Sequence, residues 1–271
     1  MLSTESKIRL ARLFYRLLKL SGFQDRQTVT RSGVRYQLDL REGIDLSIFL
    51  FGGFQNHVLS VSPGAVDAVI LDVGANIGAI TLPLARRHPS AQIHSFEPTC
   101  YALEKLRRNL ELNPSLSSRV TVNPCFVGAT SGTLLEAKAY SSWRLDDTAG
   151  AEVHDVHFGL KMEAVATRTS LDDYVEVHQI PKVHLIKIDT DGHEYEVLAG
   201  AQKLLAASRP RIILEMCPYL LEENRLTLKD YADVLGAGYR MTALHTGRPF
   251  DEKALARVSR RGGIDVLASA C

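Results

Sequence analysis

The chain has 271 residues, 45% hydrophobic and 23% charged, with a formal net charge of +1. These figures suit one sizeable folded domain with an appended element, and the near-zero charge gives no reason to expect nucleic acid as a partner. Four widely spaced cysteines (Cys100, Cys125, Cys217 and Cys271) make no CxxC pair and no zinc spacing, which points to thiols in a reducing cytoplasm.

No apolar run is long enough to span a bilayer. The first segment, MLSTESKIRLARLFYRLLKLSG, is unlike a signal peptide, because Arg9, Arg12, Arg16 and Lys19 interrupt every apolar stretch. It predicts an amphipathic helix with Leu10, Leu13, Phe14, Leu17 and Leu20 on one side and the four cations on the other. Packing of the helix on the domain is the expectation, and contact with an anionic membrane or a partner is the sharper alternative. Alternation in GVRYQLDLREGIDLSIFLF, with REG as the turn, predicts a β-hairpin over 28–51, and a helix follows it. Residues 1–65 are thus read as an extension and 66–271 as the main domain.

The stretch VILDVGANIGAITLPLA, residues 69–85, reads as a short buried strand, a glycine turn and a helix from Ile77. QIHSFEP predicts a strand ending at Glu97, followed by a helix from Thr99 to about Leu112 that NP closes. RVTVNPCFVG is a third strand interrupted by Pro124, and GTLLEAKAY and MEAVATRTS are extra strands flanking the loop SSWRLDDTAGAEVHDVH. VHLIKID is a further strand with HEYEVLAGAQKLLAA as its helix, then RIILEM and a helix over 227–236. YRMTALH and GIDVLASA, joined by a short polar loop, should pair antiparallel at one sheet edge. This βαβαβ alternation predicts a doubly wound α/β sheet with a terminal antiparallel strand, and too few βα units are present for a closed barrel.

In such sheets ligands bind at the carboxyl ends of the strands. Asp72 closes the first strand and opens the turn Asp72-Val73-Gly74-Ala75-Asn76-Ile77-Gly78, and Glu97 closes the next. An acid at Glu97 can accept from both hydroxyls of an adenosine ribose. A dinucleotide fingerprint keeps a glycine where this chain has Asn76, whose side chain occupies the path of a diphosphate. S-adenosylmethionine has no phosphate; its ammonium seeks acceptors such as Asp72, and its sulfonium suits an acid-rich pocket.

The segments DVGANIG, FEP, the asparagine of RRNLELN, IKIDTDGHEYEVLAGA and RIILEMCP resemble the FkbM-type S-adenosylmethionine-dependent methyltransferases, from about Gly33 to about Pro218. The resemblance implies a Rossmann-like methyltransferase sheet, O-methylation of a sugar or natural-product hydroxyl, and Asp72, Gly74, Asn76, Gly78 and Glu97 as cofactor contacts. Ala75 within the loop and Asp189 across the switch point join that set. Two departures stand out: Phe54-Gln55 where the family commonly has Tyr-Glu, and no acidic residue in the third-strand region near the adenine.

Asp189 ends the strand beside the first one, so the transferred methyl should face it. An alcohol is a poor nucleophile until a base takes its proton, and His193 or Asp191 is expected to be that base. The plainer reading of Asp191-Gly192-His193-Glu194 is a capping box at a helix start. Asp189, Asp191 and Glu215 could hold Mg²⁺, although no tight metal motif is present and none is favoured. Trp143 is either a sugar-stacking platform for the substrate or a plug under its loop, and Glu215 lies on the substrate side. N-methylation of an amine or guanidine is the alternative chemistry, and a non-catalytic partner subunit the alternative class. The expected setting is cytoplasmic, with a small-molecule acceptor and a possible homo-oligomer.

Overall fold

The computed structural model describes residues 4–146, 159–260 and 262–271. The chain opens with α1 (Thr4–Leu20), the hairpin β1 (Arg26–Arg31) and β2 (Val34–Asp39), and α2 (Gly43–Phe51). Then come β3 (Val69–Val73), α3 (Thr81–Arg87), β4 (Gln92–Phe96), α4 (Cys100–Glu111), α5 (Pro114–Ser117), β5 (Val120–Asn123) and β6 (Cys125–Val127). Next are β7 (Gly132–Trp143), β8 (Gly159–Thr169), α6 (Leu171–Val177), β9 (Leu185–Ile188), α7 (Glu194–Ala199), α8 (Gln202–Ser208) and β10 (Arg211–Met216). The chain closes with α9 (Pro218–Glu223), α10 (Leu228–Leu235), β11 (Tyr239–Ala243), α11 (Glu252–Leu255) and β12 (Ile264–Ala270).

The main sheet runs β11-β12-β10-β9-β3-β4-β5, and only β12 runs against its neighbours β10 and β11. Buried on both faces, β3 and β9 are almost wholly aliphatic, as parallel central strands must be. The chain leaves β3 toward β4 and β5, then returns to its other side with β9 and β10. That reversal opens a crevice at the carboxyl ends of β3 and β9. The doubly wound sheet with its terminal antiparallel strand is therefore as the sequence predicts, although α11 lies within the connection between β11 and β12, which is longer than a short polar loop.

Two local expectations are corrected, and a third, the interruption at Pro124, is met. The hairpin ends at Asp39, and the segment read as its second arm is α2, closed by Gly52 at φ +79°. Ile44, Leu46, Ile48 and Leu50 alternate as in a strand, but a helix apolar on every side gives the same pattern. The helix expected before β3 is a single 3-10 turn at Val58–Ser60. Pro124 separates β5 from β6, which leaves the main sheet to pair with β8.

In α1 the packed residues are Ile8, Ala11, Phe14, Tyr15 and Leu18, whereas Leu10, Leu13, Leu17 and Leu20 face outward, Leu20 being 85% exposed. The apolar sector of this helix is wider than the strip a single contact can cover, so the leucines grouped as the packed side are mostly left out. Among the described residues no helix is long and apolar enough to cross a membrane.

Tyr36, Leu38, Leu46 and Ile48 belong to the same buried cluster as Ile70, Ile77 and Leu82, so the hairpin and α2 cover one face of the main sheet. Two asparagines, one in α4 and one just before α5, fix them there. The Asn109 side chain accepts from Gln37 N–H at 2.8 Å and donates to the Ile77 carbonyl at 3.0 Å. Asn113 accepts from Arg35 N–H at 2.9 Å.

Candidate active site

The turn after β3 is shaped by residues that tolerate left-handed backbone. Gly74 has φ +80°, and a Cβ there would stand 1.9 Å from the Asp189 carbonyl oxygen, so only glycine lets the turn lie against the end of β9. Asn76 has φ +49° and closes its own turn by accepting from Ile77 N–H at 2.8 Å. The Gly74 and Ala75 N–H groups both donate to the Phe96 carbonyl at 3.0 Å, which straps the turn to β4.

Glu97 follows β4 and is buried. One carboxylate oxygen accepts from Thr99 N–H at 2.9 Å and from the Thr99 hydroxyl at 2.5 Å, and the other accepts from Asn76 N–H at 2.9 Å. Burial raises its pKa, and these three bonds oppose the rise by favouring the charged form. A carboxylate has about four acceptor sites, so capacity remains for a ligand. Together these residues edge a cleft of about 280 Å³.

The cleft brings together Gly74, Asn76, Glu97, Asp189, Asp191 and His193 from the expected set, while Asp72, Ala75 and Gly78 lie beneath it. Asp72 has no exposed surface; it accepts from the Thr81 hydroxyl at 2.6 Å and pairs with Lys187 at 3.5 Å. The structure thus sets Asp72 beneath the cleft, against Thr81 and Lys187. Lys187 is the hub of that support, 3.4 Å from Asp189 and donating to the Gly74 carbonyl at 3.1 Å.

The strand register sets a row of acids along the sheet edge. Ile188 pairs with Val73 and with Leu214, so Asp189 and Glu215 stand one place further along, and Glu215 is itself paired with Asp265 of β12. Neighbouring strands are about 4.8 Å apart, which spaces Asp189, Glu215 and Asp265 evenly on one face. Burial, then Asp189 and Asp265, push the Glu215 carboxyl well above its usual range. Among the described residues no group of three His, Cys, Asp or Glu side chains is disposed to hold a metal ion.

The capping-box reading is corrected. His193, not Asp191, is the residue before α7, and its side chain caps nothing. Asp191 is left-handed at φ +53°, and Glu194 reaches back to accept from Thr190 N–H at 2.9 Å, from the Thr190 hydroxyl at 3.1 Å and from Gly192 N–H at 3.3 Å. The spacing was right but the helix begins later, because Asp191 and Gly192 are spent on a turn. Trp143 ends β7, paired with Gly159, and so is not in a loop; its side chain lies outside the described residues.

Burial, Asp189 and Glu194 push the Asp191 carboxyl up to about 8. A carboxyl that binds its proton more tightly when folded adds stability below its unfolded pKa of about 4, and that contribution is lost as pH rises through 8. Asp191→Asn is therefore expected to melt above wild type at pH 8.5 and to flatten the decline in melting temperature from pH 4 to 8. Thermal melts across that range check it; parallel profiles for the two proteins would remove Asp191 as a source of the strain.

Sequence reasoning missed Lys187, Thr99, Gln55 and the pair His57–Asp265. A lysine inside the aliphatic strand LIKI was the available signal for the first, since a lone cation is not buried without partners. Gln55 has φ +46°, and its amide nitrogen lies 3.5 Å from Asp189. His57 pairs with Asp265 across 208 positions, which no local pattern announces.

A family model described as Methyltransferase FkbM domain matches residues 72–241. Over 173 residues the chain is 28% identical to Methyltransferase sdnD of Sordaria araneosa, covering 55% of this chain and 66% of that protein. It is 28% identical over 228 residues to 31-O-demethyl-FK506 methyltransferase FkbM of Streptomyces tacrolimicus, covering 75% and 79% respectively. The crystal structure of Methyltransferase FkbM from Methylobacillus flagellatus aligns with a TM-score of 0.47 at 18% identity, over 75% of this chain and 44% of that one. The chain thus spans just under two thirds of the Sordaria protein and under half of the Methylobacillus structure.

Proposed function

The chain belongs to the FkbM methyltransferase family, and from that membership we propose that it transfers a methyl group from S-adenosylmethionine to a hydroxyl of a small molecule. The observation that carries the reading is the cleft at the ends of β3 and β4, whose lining has Glu97 after one strand and Asp189 after the neighbouring one. Glu97 is held in place by three hydrogen bonds at the position where a ribose would be read. Asn76 stands where a dinucleotide fingerprint keeps a glycine, and Asp189 lines the other end, where a cation is welcome. Phe96, Phe126 and Val127 supply an apolar wall suited to adenine.

When bound, the donor supplies an electrophilic methyl on a sulfonium. Asp189 would face that methyl, while Gly74, Asn76 and Glu97 would bind the rest, with Ala75, Gly78 and Asp72 shaping the turn from below. Oxygen as the accepting atom is supported by the name of the Streptomyces relative, which specifies a 31-O position. The acid row favours one second reading, an amine acceptor held by Glu215 and Asp265.

Calorimetry with S-adenosylhomocysteine and with NADH tests the donor. Micromolar binding of the first and none of the second is expected, and preference for NADH would sink the assignment. Fragmentation of a methylated product by mass spectrometry then separates a methyl ether from an N-methyl amine.

A further inference from the structure

Beyond the donor cleft lies a second cavity, of about 580 Å³, lined by Glu215 and Asp265, which continue the row that Asp189 begins. Its volume is in the range of small-molecule sites. Leu10 and Phe14 of α1, Leu50 and Phe51 of α2, and Phe54 give it apolar surface. Its polar groups come from Gln55, Asn56 and His57, from His245, and from the ends of β10 and β12.

Two features of this cavity point to a ligand. The side-chain amide oxygen of Gln55 is buried with no hydrogen-bond partner, and the nitrogen of the same amide approaches Asp189. A buried acceptor left unmatched by the protein is a place for a donor such as a hydroxyl. Second, the His57 ring is hydrogen-bonded to the Asp265 carboxylate, the arrangement that orients a neutral imidazole and stabilises the imidazolium once a proton arrives. His193, by contrast, lines the donor cleft and not this cavity.

We propose that the second cavity is the acceptor site, that it takes a molecule with an apolar body and a hydroxyl at one end, and that His57, held by Asp265, receives the hydroxyl proton. The assignment rests on the methyl-transfer reading above. The acceptor oxygen–methyl bond forms as the sulfur–methyl bond breaks, the electron pair staying on sulfur as a neutral thioether. The proton passes to the His57 ring, where the Asp265 carboxylate balances the imidazolium until water removes it. Glu215, which lines the cavity beside Asp265, stands at the polar end of the acceptor. The apolar wall admits the rest of the molecule without polar contacts, so selection falls on its shape and on the single hydroxyl.

The test uses 1-decanol as the probe and glucose as its polar counterpart, on protein carrying S-adenosylhomocysteine. Saturable decanol binding is expected, weaker by about tenfold in the exposed wall variants Leu10→Ser and Phe51→Ser, as lost apolar contact implies. S-adenosylhomocysteine affinity should not change in either. With S-adenosylmethionine present, decyl methyl ether should form and be detected by mass spectrometry. His57→Ala should lower its rate by ~10²–10⁴ with decanol and S-adenosylhomocysteine binding intact. Binding of glucose but not decanol overturns the acceptor class. Decanol binding without ether formation in the wild type, or with ether formation undiminished in His57→Ala, overturns the base. Failure of S-adenosylhomocysteine to bind at all strikes the donor reading instead.

Discussion

Lys187→Met is expected to cost about 3–5 kcal/mol of folding stability, the scale of breaking a buried ion pair from one side. Methionine matches the length of lysine, so packing survives and the loss is electrostatic. Lys187 is 4% exposed and stands between Asp72, fully buried, and Asp189. One oxygen of Asp72 has no hydrogen bond, and Lys187 is the cation that faces it. Burial alone would lower the lysine pKa, but Asp189 and then Asp72 raise it above its ordinary value. A lysine pKa raised by folding adds stability below its unfolded pKa and loses it only as pH climbs through the folded one. The wild type therefore keeps this contribution at neutral pH. Urea unfolding of Lys187→Met, of Asp72→Asn and of the double variant checks the claim. The double variant should recover much of the loss, and strict additivity of the two would refute the coupling.

Glu97→Ala is expected to weaken S-adenosylhomocysteine binding by ~1.5–3 kcal/mol, roughly ten- to a hundredfold, since hydrogen bonds to a charged group are of that size. The substitution also strips partners from Asn76 N–H and Thr99 N–H, so the turn after β3 keeps only its ties to the Phe96 carbonyl at the end of β4. Glu97→Gln should fall between alanine and wild type, because its amide oxygen still accepts one of the bonds. Calorimetry on the three proteins reads the series directly. An alanine variant that binds as well as the wild type would take Glu97 out of the donor site.

Much of the donor half was legible because its signals are local. A strand of VILDV type, a turn needing positive φ at Gly74 and an acid after the next strand lie within 30 residues, and each obeys a short-range rule. The helix α2 was not legible, since a short segment buried all round shows the same alternation as a strand. The start of α7 was misplaced for a different reason: Asp and Glu three apart fit both a capping box and a back-reaching carboxylate, and only the φ of Asp191 decides. The pairing of Asp72 with Lys187 was not legible, because it is a contact made between adjacent strands. The acid row needed the order and register of β9, β10 and β12, which sequence pattern alone does not supply.

The two cavities differ in where along the polypeptide their walls originate. The donor cleft is drawn from residues 73–196, one continuous stretch, whereas the second cavity joins residues 10–57 to residues 215–265. During synthesis the cofactor half can close upon itself before the ribosome has made β12, while the other half waits for distant segments to meet. The same division separates two kinds of inherited change. Substitutions in the flanking segments can reshape which molecule is accepted while the methyl-donor machinery passes on untouched, so relatives can diverge in substrate while their central stretch stays recognisable.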